Sequence, residues 1–137
     1  LRLTEGEWGI ITASAPATAR LFALGLDALS RAGRSFSSDG RFHAITPMLR
    51  QFLRRAGFGD LRCRGYAIDH SAGTAAHRGF YEDYQLLFKL GQPFLLQQGL
   101  ANQEKLDGLY EQALCEMLAD DFGALLYLLT VWGSKPQ

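Results

Sequence analysis

The chain has 137 residues, 47% of them apolar, and its 14 basic and 14 acidic side chains balance to zero formal charge. That length fits a single domain, 1–137, with enough apolar material for a core. Zero net charge gives no electrostatic reason to expect a nucleic acid or a membrane surface as partner, and the longest apolar run, 124–129, is far too short to span a bilayer.

Charge is nevertheless unevenly spread. Arginines crowd the stretch up to Arg64, whereas acids dominate after Gly79, a division that predicts complementarity within or between subunits. Cys63 and Cys115 lack a Cys-x-x-Cys companion, so two free, buried thiols in a reducing compartment are expected. With no basic leader, a cytoplasmic protein is expected.

Leu1-Arg2-Leu3-Thr4-Glu5 alternates apolar and polar residues and predicts a strand with one buried face, while 8–13 is apolar and ambiguous. A helix is expected from Pro16, with Phe22, Leu26 and Leu29 on one face and Gly33 as its stop. The serine-rich stretch 34–45 reads as loop. Next, Thr46 has the chemistry of an N-cap and Pro47 suits the first helical turn. Leu49, Phe52, Leu53 and Ala56 then form one apolar stripe, and Gly57 supplies a left-handed stop. Leu61 to Ile68 reads as a strand.

Two helices are expected after it: one around His77 to Leu90, interrupted by Gly91-Gln92-Pro93, and one from about Asn102 to Ala119. The largely apolar run Ala124 to Trp132, bounded by glycines, reads as a strand covered on both faces and placed inside a sheet. The whole is an α/β pattern. A helical crossover joins the first two strands, which are therefore expected to be parallel, with room for the last strand between them.

The hand-over TPMLRQFLRRAGFGDLRCRGYAIDHSAGT resembles the last crossover helix and sixth strand of class I S-adenosylmethionine-dependent methyltransferases. LRLTEGEWG looks like that family's fifth strand, and GALLYLLTVWGSKP is similar to its seventh, which inserts antiparallel between the fifth and sixth. The resemblance implies a partial Rossmann-like fold. Its mixed sheet would have about three strands, the first and second parallel and the C-terminal one antiparallel between them, covered by helices. It covers only the carboxyl-terminal half of that fold. No Gly-x-Gly-x-Gly turn occurs, so no catalytic or cofactor-binding residue carries over, and S-adenosylmethionine is expected in the family's full-length fold but not on this chain alone. The chain is thus expected to be a C-terminal fragment or a natural truncation. Its exposed first-strand edge predicts a dimer or other homo-oligomer.

In open α/β sheets, ligands gather beyond the carboxyl ends of the strands. This singles out Glu5, Glu7 and Trp8 after the first strand and Asp69 and His70 after the second. Trp8, His70, Tyr81 and Tyr84 are candidates for an aromatic wall against a small-molecule acceptor; equally, the aromatics serve as packing with their polar tips at the surface. His70 reads either as a general base or as a hydrogen-bonded loop histidine. Asp69-His70-Ser71 is not a catalytic relay, because strand neighbours point to opposite faces, and the three histidines lack metal-ligand spacing. Two functions follow. One is a methyltransferase represented by its C-terminal portion; the other is a non-catalytic dimerising or ligand-binding module on the same scaffold.

Overall fold

The elements run β1 (Arg2–Ile11), α1 (Pro16–Arg31), α2 (Ile45–Arg55), β2 (Gly59–Asp69), α3 (His77–Gln97), α4 (Gln103–Met117) and β3 (Ala124–Ser134). The computed structural model describes residues 1–136, with Trp8 described by its backbone alone. β1 extends into the stretch 8–13 that was ambiguous in sequence and ends at Ile11, because Ile10 and Ile11 continue the ladder opposite Leu125 and Ala124.

Three strands form one sheet in the order β1-β3-β2. Both ladders are antiparallel, so β1 and β2 share a direction without touching. The parallel pairing of a mixed sheet does not occur among the described residues. β3 separates the two co-directional strands and pairs with both of them. The outer edge of β1 has no ladder partner among the described residues.

Each outer strand carries one register shift, in β1 between Glu7 and Ile10 and in β2 between Gly59 and Arg62. At the first, a Cβ on Gly9 would lie 1.7 Å from the Leu125 carbonyl oxygen, so only glycine fits. At the second, Asp60 takes a left-handed φ of 48°.

Side chains alternate along β3 and meet different partners on its two faces. Val131 and Leu129 face α2, where Leu49 and Leu53 form a core cluster with them and Leu3. Leu126 and Leu128 face the other way, toward Tyr84 and Leu87 of α3. Coverage is incomplete: Tyr127 is 40% exposed, so the expectation of a strand covered on both faces holds for only part of its length. A second cluster joins α1, α3 and α4 through Leu21, Phe22, Phe80, Phe88, Ala113 and Met117.

Helix ends show where local rules held and where they were overruled. α1, α2 and α3 all close with the same double bond pattern, in which Gly33, Gly57 and Gly99 take positive φ. In α2, for example, Phe58 N–H donates to Leu53 O and Gly57 N–H to Arg54 O. Asn102 caps α4 by accepting from Lys105 N at 2.9 Å. Thr46, by contrast, is not the cap of α2. That helix begins at Ile45, two residues earlier than expected, after Ala44 at φ 56°, and no local side chain caps it. Glu7 reaches over from β1 instead, accepting from Ala44 N at 2.9 Å and from the Thr46 hydroxyl at 3.2 Å. α1 is capped in the same remote manner by Glu116 of α4, which accepts from Ala17 N, Thr18 N and the Thr18 hydroxyl.

The expected break at Gly91-Gln92-Pro93 is absent, and α3 runs through Pro93. Phe80, Phe88, Gln92 and Leu95 are all buried along it. Gln92 is also tied to α4 by hydrogen bonds with Asp107 and Gln103. Burial of that continuous face outweighs the one backbone bond that proline removes. The thiols also depart from expectation: Cys63 and Cys115 are free but exposed. Cys63 lies on the edge strand β2, which is largely open to solvent, and Cys115 lies on the outer side of α4.

Candidate functional site

β2 ends at Asp69, and a tight turn follows that is held at several points. The Ser71 hydroxyl and amide hold the Asp69 carboxyl below its usual range, with a smaller contribution from the neighbouring His70. Thr74 donates its hydroxyl to the carbonyls of Asp69 and Ser71. His70 N–H donates to Ala124 O and Ala72 N–H to Phe122 O, which pins the turn to the start of β3. Asp69, His70 and Ser71 therefore form a structural turn. The Ser71 hydroxyl accepts from Ala124 N, and Asp69 does not orient the imidazole.

His70 Nδ1 lies 3.2 Å from the Ala76 carbonyl oxygen. A carbonyl only accepts, so Nδ1 carries a proton, and in the neutral form of the imidazole Nε2 then presents a lone pair. That nitrogen is buried without a hydrogen-bond partner. The ring lies against Phe80 at 5.1 Å, and Phe80 stacks on Tyr84 at 4.3 Å with planes 30° apart.

These rings wall a trough of about 450 Å³ between α3 and the sheet, which Leu87, Leu90 and Leu126 also line, with Asp83 beside them. A smaller hollow of about 230 Å³ shares Tyr84, Leu87 and Leu126 with it and extends over Leu128 and Gly6 of the sheet. Burial is the first cause that raises the Tyr84 phenol above its ordinary value, and the charge of Asp83 adds to it. Its hydroxyl therefore stays protonated at neutral pH.

Of the four residues proposed from sequence, the fold brings His70 and Tyr84 to one site. Tyr81 packs instead, partly buried, against the core shared by α1, α3 and α4. The Trp8 side chain lies outside the described residues. Glu7 serves the start of α2 and also lines the smaller hollow beside Gly6. The pattern of the sequence carried no sign of Phe80, Leu87 or Leu126 as wall residues, since apolar residues at helical or strand spacing look the same whether they line a cavity or a core.

In open α/β folds a helix N-terminus following a strand is a ready anion site. After β1 that position is the start of α1, and the Glu116 carboxylate already accepts from Ala17 and Thr18 there. Among the described residues no group of three metal-ligating side chains gathers to hold a metal ion. No helix of the described residues is long and apolar enough to cross a membrane. Comparison with family models, curated proteins and solved structures finds no match to the chain.

Proposed function

We propose that the chain is the acceptor-side, carboxyl-terminal portion of an S-adenosylmethionine-dependent methyltransferase, working with a cofactor-binding half that it does not itself supply. One observation carries this reading. β3 lies between two co-directional strands and antiparallel to both, with a helical crossover joining the outer pair, which is the arrangement expected of the closing strands of that fold. The free edge of β1 would then receive the next strand of the sheet. Donor binding belongs to the other half, and this chain would contribute the wall against which an acceptor lies.

The test is to read the open reading frame upstream of the Leu1 codon and to assay its full product for transfer of a labelled methyl group. A glycine-rich strand–turn–helix upstream and transfer by the longer chain are expected. A start codon at Leu1, or an upstream region without that turn, overturns the reading.

A second function, a non-catalytic dimerising and ligand-binding module, draws on two other features. One is the unpaired β1 edge, which a second copy would cover. The other is an apolar cleft of about 260 Å³ between α1 and α3, lined by Leu21, Leu29, Phe88 and Leu95 and opened by Gly25 and Gly91. Light scattering distinguishes the two functions for the chain alone. A dimer favours the module, and a monomer with a solvent-accessible β1 edge removes it.

A further inference from the structure

The trough between α3 and the sheet has a chemical polarity that the α1/α3 cleft lacks, because one imidazole nitrogen is buried beside it without a partner. We propose that this trough binds a small, neutral, hydroxyl-bearing aromatic molecule, whose hydroxyl donates to His70 Nε2. The proposal rests on the acceptor-side reading above only for regarding this molecule as a methyl acceptor.

Three observations define the ligand. First, the tautomer of the neutral imidazole is set: Nδ1 lies within hydrogen-bond distance of the Ala76 carbonyl, which leaves Nε2 of that form able only to accept. The ligand must therefore bring a donor. An ether, an ester or a carboxylate does not meet that need. Second, the wall beside the imidazole is a run of rings, His70 against Phe80 and Phe80 against Tyr84. An aromatic body extends that run in offset or edge contact. Third, the Asp83 carboxylate lies in the lining and disfavours an anionic ligand.

Space and access agree with this. A trough of about 450 Å³ lies within the range of small-molecule sites. Nε2 itself is buried, while His70 as a residue belongs to the lining. Leu87 and Leu90 of the rim are 50% and 69% exposed, so a ligand reaches the trough without disturbing the core, and contact with Nε2 requires a side-chain adjustment at the wall. A buried acceptor without a partner is costly, and a ligand hydroxyl placed there recovers that cost. Selectivity for the donor follows from the same fact.

The experiment titrates the uniformly ¹⁵N-labelled full chain with 2-naphthol and, separately, with 2-methoxynaphthalene, which has nearly the same shape but no donor. With 2-naphthol the His70 Nε2 resonance should move upfield and saturate while Nδ1 keeps its protonated shift. Binding should be about tenfold tighter than for the ether. In His70→Phe, which keeps a ring against Phe80, the two compounds should bind equally. If that variant does not fold, the Nε2 shift and the ether comparison in the wild type decide by themselves. Equal affinities in the wild type, no binding, or perturbations confined to the α1/α3 cleft overturn the proposal. None of these measurements involves the methyl donor, so their failure is distinct from a failure of the methyltransferase reading.

Discussion

Glu116 offers the sharpest test of how this fold is held together. Ala15, the residue before α1, has no side-chain oxygen, and α1 has no acidic residue in its first turn. Its first amides are instead served from α4. One carboxylate oxygen accepts from Ala17 N at 3.0 Å, and the other accepts from Thr18 N at 2.8 Å and from the Thr18 hydroxyl at 2.9 Å. Thr18 is fully buried, so no water replaces the lost acceptor at its hydroxyl.

Glu116→Ala removes a cap worth about 1 kcal/mol. It removes a favourable charge at the helix start worth roughly 0.5 kcal/mol. It also strands a buried hydroxyl at a cost of about 1–2 kcal/mol. These effects share partners and do not add fully, so a loss of about 2 kcal/mol is expected, or roughly 7 °C in Tm. Glu116→Gln keeps one acceptor oxygen and should lose only about half as much. Urea unfolding followed by far-UV circular dichroism measures both. In the double variant with Thr18→Val, which removes the stranded hydroxyl, the cost of Glu116→Ala should fall by about 1 kcal/mol. A loss under about 0.5 kcal/mol for Glu116→Ala, or equal losses for the Ala and Gln variants, refutes the remote cap.

Three further substitutions test other features. Gly9→Ala places a Cβ 1.7 Å from the Leu125 carbonyl oxygen, so β1 must shift off β3; a destabilisation of at least about 3 kcal/mol, with loss of amide protection along 2–7 in hydrogen exchange, checks this. Pro93 lies inside α3 on its exposed side. Pro93→Ala should relieve the roughly 3 kcal/mol that a proline costs inside a helix and give back about 1 kcal/mol of unfolded-state entropy, for a net gain of about 2 kcal/mol in denaturant unfolding. The Asp107 carboxyl is held below its ordinary value, first by Gln103 and then by Lys89. A depressed carboxylate contributes stability above its unfolded value and loses it as the pH falls through the folded one. Asp107→Asn should therefore flatten part of the acid limb of the stability–pH curve; an unchanged limb counts against this network.

Much of the fold was legible because its signals are local. Gly33 and Gly57 mark helix ends because a left-handed residue there closes two backbone bonds within the same turn. Asn102 caps α4 through its own neighbour's amide. The apolar run 124–132 implied an interior strand, and β3 is the central one. The candidate site was legible only in part. His70 was reachable from its place after β2, but the tautomer that gives it a chemical preference comes from Ala76, and its wall comes from α3.

The amino-acid order alone determined which segments coil and which extend, since propensity, caps and apolar period act over a few residues. Only the tertiary structure decided the remainder. Glu7 and Glu116 cap helices 37 and 99 residues away in sequence, Pro93 is carried inside a helix because the face beside it is buried, and one imidazole nitrogen is left without a partner beside an aromatic trough. Each of these depends on contacts between distant segments, and the energies at stake rival or exceed the local preferences they overrule.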